Sequence, residues 1–158
     1  MKKTLGLLIA VAFVFVLTGC EKVGSGDYKE GTYFGSVEYD SYGVTYVTTA
    51  TVYVNESGVI KSVYLDSTYN SNGKLTTKKT LGDAYGMKAT SASQGKIDGG
   101  AEWYEQVKVI EDKVLKEQNL DWVTWNKEDS SKLDGVSGVT ISANTYVEAI
   151  EKALKEAK

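Results

Sequence analysis

Apolar and polar residues alternate over much of residues 31–65 and then recur at helical intervals in two later stretches. Tyr33, Val37 and Tyr39 share one parity with Gly35 between them. Residues 45–54 are dense in Thr, Val and Tyr, which suit a pleated, half-buried surface, and Val44, Tyr46, Ala50, Val52 and Val54 share one face. Asn55-Glu56-Ser57-Gly58 is a turn signal, after which residues 59–65 resume the alternation through Val63 and Leu65. The spacing predicts three antiparallel strands joined by hairpins between residues 27 and 65. Residues 67–82 read as a polar loop with Asn70, Asn72 and Gly73 at its tip, and residues 74–79 as a candidate further strand.

The period changes after Gly99-Gly100. Trp103, Val107, Ile110 and Val114 fall on one face of a helix over residues 101–118, and Leu115 widens the stripe. The other face carries Glu102, Glu105, Lys108, Glu111, Asp112 and Lys116, which read as solvated charge rather than a catalytic carboxylate pair. Asn119 is the expected stop. Trp122 and Trp125 lie in an apolar patch whose role the pattern leaves open, and Trp103 belongs to the core stripe. Tyr146, Val147, Ile150, Ala153 and Leu154 mark a terminal helix with Asn144 or Ser142 as its cap. Strands gathered ahead of helices predict a single α+β domain over residues 28–158, an antiparallel sheet of hairpins with helices packed on one face.

The first residues have another character. Lys2 and Lys3 precede a nearly unbroken apolar run over residues 5–17. The run is shorter than the roughly 20 residues a membrane-spanning helix needs, and it has the layout of a secretory signal peptide. It ends in Leu17-Thr18-Gly19-Cys20, which resembles a bacterial lipobox. The resemblance implies cleavage after residue 19 and acylation of Cys20 with diacylglycerol and palmitate-like chains. The released apolar segment around residues 12–19 also has the character of a peptide pheromone. Residues 20–27 then form a short lipidated tether that holds the domain at the extracytoplasmic face of the cell membrane. Loss of Lys2 and Lys3 leaves 16 lysines against 21 acids, a net charge of −5.

Composition narrows the chemistry. The chain has no His, no Pro and one Cys. It can therefore build neither a His-based nucleophile system nor a histidine zinc site, and an intrachain disulfide is ruled out. An acidic balance without arginine argues against nucleic acid as a partner. Asp66, Asp83 and Asp98 lack calcium-loop spacing.

Asp134-Gly135-Val136-Ser137-Gly138-Val139-Thr140-Ile141-Ser142 is the most informative segment. Its glycines allow a sharp turn and close approach to a ligand, and hydroxyls follow directly ahead of the predicted helix. A helix N-terminus offers free N–H groups and a positive dipole end to a phosphate. Spacing alone favours the plainer reading, a loop entering a capped helix.

The segment resembles the flavinylation motif of FMN-binding domains, Asp-Gly-x-Ser/Thr-Gly-Ala-Thr. Such domains occur in subunits of sodium-pumping NADH:quinone reductase and in extracellular electron-transfer and membrane-immunogen lipoproteins. Glu30-Gly31-Thr32-Tyr33-x-Gly35, Val59-Ile60-x-x-Val63, Tyr85-Gly86-Met87 and Glu102-Trp103-x-x-Gln106 extend the resemblance over residues 28–155. It implies that a flavin transferase takes FMN from FAD and esterifies its phosphate to Thr140. Asp134, Gly135, Ser137, Gly138, Val139 and Ser142 would shape the site, with Asp134 serving the attachment reaction. Tyr85 and Met87 are the ring-contact candidates, with core packing as the alternative. The protein would then be a membrane-anchored electron carrier, not an enzyme in its own right, fed by a membrane quinone or NADH dehydrogenase. Val139 departs from the family's Ala, and it favours the alternative of a surface lipoprotein that keeps the fold as a binding module without flavin.

Overall fold

The structure is a computed structural model that describes residues 26–158. The proposed signal peptide, Cys20 and most of the tether lie outside the described residues. Four antiparallel strands run in the order β1 (Gly31–Ser41), β2 (Val44–Val54), β3 (Ile60–Ser71) and β4 (Lys74–Thr77). Tight two-residue turns at Tyr42-Gly43 and Asn72-Gly73 join β1 to β2 and β3 to β4. All four turn residues have φ between 52° and 78°, the left-handed geometry that matches the twist of flanking strands.

The alternating pattern has its physical cause in a sheet covered on one side. Gly35, Ala50 and Leu65 align across β1, β2 and β3, as do Val52 and Val63 on the neighbouring strands. These residues face the helices. On the opposite face Phe34, Thr51 and Tyr64 align, and Phe34 and Tyr64 are 60% and 49% exposed. A bulge between Tyr53 and Val54 sets Val54 opposite Ile60 and keeps both in the core.

The polar segment read as a loop is largely regular. Residues 67–71 complete β3, and only Lys74–Thr77 of the candidate fourth strand pairs. Lys78 and Lys79 instead open a single helical turn, α1 (Lys78–Leu81), followed by a 3-10 turn (Gly82–Tyr85) and a short helix α2 (Lys88–Ser93). The long helix α3 (Trp103–Glu117) carries the predicted stripe, with Trp103, Val107, Ile110 and Val114 buried. It stops at Gln118, one residue before the expected Asn119. Gln118 adopts φ 61°, and its side chain bonds both the N–H and the carbonyl of Ile60, tying the helix end to β3. Trp125 pairs with Leu133 in an isolated bridge, and the Trp122 indole donates to the Asn119 carbonyl at 2.9 Å.

The last helix, α4 (Asn144–Glu156), lies over β1 and β2 while α3 lies over β3. Neither Asn144 nor Ser142 caps it. Ala143 occupies the cap position and no side chain closes it. The helix rests directly on β1 at Gly35, where a methyl group would stand 2.0 Å from the Ala149 carbonyl oxygen. Gly35→Ala must push α4 outward, and we expect it to lower unfolding free energy by about 2–3 kcal/mol in urea denaturation. A loss below ~0.5 kcal/mol would mean that the helix does not ride on this strand.

Candidate functional site

The loop motif is fixed by α3. At the helix start Glu105 accepts the Glu102 N–H at 2.7 Å in a capping box, and Glu102 also accepts the Met87 N–H at 2.8 Å. Glu102 is therefore buried at a junction, not on a solvated face. One turn on, Gln106 is 0% exposed. Its amide donates to the Ala101 carbonyl at 3.1 Å, and its oxygen accepts both the N–H and the hydroxyl of Thr140 at 2.8 and 3.1 Å. Thr140 is 5% exposed.

The other motif residues surround this anchor. Gly135 and Gly138 have φ of 67° and 85°, the left-handed geometry that favours glycine. Asp134 is exposed, and its carboxylate accepts the Gly135 N–H at 3.0 Å. Ser137 is exposed, whereas Val139 is buried in the core. Residues 134–140 border a cavity of about 380 Å³ together with Lys96 and Asn126.

A second cavity, of about 470 Å³, lies beyond the same strand of chain and collects the remaining candidates. Tyr85, Met87 and Ser142 line it, with Tyr39, Lys78, Trp103, Asn144, Thr145 and Tyr146. The sequence-predicted residues thus divide between two cavities, with Thr140 on one and the ring-contact pair on the other. The helix starts where the pattern places it, with its cap position between the two predicted capping residues. Because α4 begins at Asn144, its uncapped N-terminus borders the aromatic cavity, and Thr140 lies three residues ahead of the Ala143 cap.

Lys78 is the principal residue that sequence reasoning missed. Its ammonium lies 3.3 Å from the Tyr146 hydroxyl and 3.4 Å from that of Tyr39. It is also 5.4 Å from the ring centroids of both Tyr85 and Trp103. Among the described residues it forms no salt bridge. Burial lowers its pKa to about 8, against the opposing pull of Asp66. Burial likewise pushes the Tyr85 phenol up to about 12, with neighbouring tyrosines adding to the shift, and raises Tyr39 and Tyr146. The Trp103 indole N–H is close enough to favour the Tyr146 phenolate, yet it closes no hydrogen bond. No periodicity marks Lys78, because its burial arises where a polar segment folds back against α3 and α4.

These features define an α+β domain with an aromatic, amine-bearing cavity beside a glycine loop. No protein-family model and no curated protein matches the chain. Among solved structures it is similar to a Clostridium thermocellum protein determined by solution NMR as a structural-genomics target. The two are 28% identical, with a TM-score of 0.52, over 81% of this chain and 91% of that one. The likeness supports the fold.

Two outcomes follow from the anchor and the amine. Gln106→Met strands the buried Thr140 N–H and should cost ~2 kcal/mol or more in urea denaturation, against ~1 kcal/mol for Thr140→Val. Equal losses would place the anchor in the hydroxyl instead. Stability should also rise from pH 8 to 9.5, because in that window the unfolded chain keeps the proton that folded Lys78 has lost. The gain is bounded by about 3 kcal/mol for the full shift. The raised tyrosines act in the opposite sense, because unfolded phenols begin to ionise as pH nears 10 while the folded ones keep their protons, so Lys78→Met should turn the rise into a shallow fall, and a wild-type profile that matches the variant's would contradict burial of the amine.

Proposed function

We propose that the protein is a lipid-anchored, extracytoplasmic electron carrier that holds FMN esterified to Thr140. The observation that carries this reading is the left-handed Gly135 and Gly138 loop beside a cavity that Thr140 itself lines. The loop lets the backbone approach a phosphate without side-chain obstruction. A flavin transferase would join the Thr140 oxygen to the FMN phosphate of FAD and release AMP. Asp134, exposed at the loop edge, is available to that transferase. Bound FMN would supply one- or two-electron chemistry, and a membrane quinone or NADH dehydrogenase is the proposed donor.

This chain's residues set the conditions of attachment. The Thr140 hydroxyl must first leave Gln106, which surrenders the weaker of the two bonds at 3.1 Å. The N–H bond at 2.8 Å keeps the loop in place. A second reading, a surface lipoprotein that uses the fold as a binding module without flavin, draws on the inward-turned hydroxyl and on the buried Val139. Co-expression with a flavin transferase separates the two. The carrier reading expects a yellow protein that fluoresces after denaturing electrophoresis and an FMN-sized mass increment that Thr140→Ala abolishes. An unmodified wild-type mass under those conditions would favour the binding module, and flavin retained covalently in Thr140→Ala would move the attachment elsewhere.

A further inference from the structure

We propose that the cavity around Lys78 binds a planar aromatic anion, with its ring among the Tyr39, Tyr85 and Trp103 side chains and its charge on the Lys78 ammonium. The inference does not rest on flavin attachment at Thr140, which borders the other cavity.

Three observations converge on that chemistry. The walls are aromatic: Tyr85 meets Trp103 at 6.4 Å between centroids, and Trp103 meets Tyr146 at 5.6 Å. Flat ring faces of this kind favour another flat ring over an aliphatic chain. Among the described residues the amine has no carboxylate within ion-pair distance, although the adjacent Lys79 is paired with buried Glu111 at 2.5 Å. A half-buried cation held only by phenol hydroxyls lacks the compensation that an anion would bring. Last, the uncapped start of α4 borders the cavity through Asn144 and Thr145, adding a positive dipole end. At about 470 Å³ the space falls in the range of small-molecule sites.

The charged and titratable groups facing Lys78 come from four neighbouring elements. They are Tyr39 and Asp40 of β1, Asp66 of β3, Tyr85 of the 3-10 turn and Tyr146 of α4. Asp40 already accepts the Thr45 hydroxyl at 2.6 Å, and Asp66 accepts the Ser67 and Lys79 N–H groups at 2.8 and 3.1 Å. Below pH 8 the ammonium is therefore the group free to meet an added anion. Anion affinity should fall as pH rises through Lys78's own titration.

Titration calorimetry of the full chain with 2-naphthoate, naphthalene-2-carboxamide and hexanoate separates ring from charge. We expect 2-naphthoate to bind at least about tenfold more tightly than either comparison compound. Lys78→Met should lower 2-naphthoate affinity by about tenfold and leave the carboxamide within about twofold, with Lys78→Arg restoring part of the loss. Raising the pH from 7 to 9 should weaken 2-naphthoate binding to the wild type, which tests the charge without any variant. No 2-naphthoate binding, equal affinity for acid and amide, or an unchanged Lys78→Met would overturn the proposal. Two sources could supply such a ring, a free aromatic acid or the isoalloxazine of attached FMN, which carries a negative charge when reduced. Loss of 2-naphthoate binding in flavin-loaded protein would assign the cavity to the isoalloxazine, and persistence would assign it to a free acid.

Discussion

A single buried amide sets the geometry on which the candidate site depends. Gln106 stands on the apolar side of α3 with no solvent exposure, a placement tolerated only when its polar atoms are bonded. It bonds the chain just ahead of its own helix and the strand of loop that leads into α4. Ile141 and Ala143, immediately downstream of Thr140, are core residues. Their burial, and hence the position at which α4 descends onto β1 and β2, follows from where Gln106 holds Thr140. Hydroxyl and N–H share one acceptor, so the two functions of Thr140 can be uncoupled. Chemistry at the hydroxyl removes one donor and leaves the backbone anchor.

The fold was legible because the sheet has one dry face. A strand covered on one side must alternate, and the parity of Gly35, Val37, Ala50, Val52 and Val54 declares which side that is. The same logic hid residues 67–71. Asp66 and Ser67 are buried polar residues whose bonds lie within the fold, so the segment looks like a solvated loop while completing β3. Glu102 and Glu111 misled in the same way. Each carries a charge on the predicted polar face, yet Glu102 receives the Met87 N–H, and Glu111 receives the Leu65 N–H and Lys79. Helical periodicity reports distance from the core axis, and cannot show that a second layer of turns covers the polar flank. The Glu102-x-x-Glu105 capping box is the part of that junction a sequence can display.

Lys78 and Lys79 make the same point with opposite outcomes. The two residues are adjacent at the start of α1, and successive helical positions point about 100° apart. One amine swings toward Glu111 and across the Tyr64 ring, where a buried carboxylate neutralises it. The other swings into the aromatic cavity, where phenols and ring faces receive it and, among the described residues, no carboxylate comes within ion-pair distance. Phenol hydroxyls and ring quadrupoles stabilise a cation less than a carboxylate does, which is why burial prevails and the amine loses its proton more readily. The difference between a structural lysine and a ligand-ready one here is one residue of register.

The two cavities are separated by a short stretch of chain that runs between them. Thr140 borders the glycine-loop side, and Ile141 and Ser142 border the aromatic side. A group anchored at Thr140 therefore begins on the side with backbone room and no aromatic wall, where a phosphate suits the loop better than a ring does. The rings, the amine and the positive end of α4 all belong to the other side. A nucleotide attached by its phosphate would have to pass around residues 141–142 to place a ring against Tyr85 and Trp103. Ser142 is exposed and accepts the Ser131 hydroxyl at 3.0 Å, which makes it the lower barrier of the two, since Ile141 is locked into the core. A ring that stayed on the glycine-loop side of that barrier would leave the aromatic cavity open to a free ligand, and one that crossed it would fill the same space.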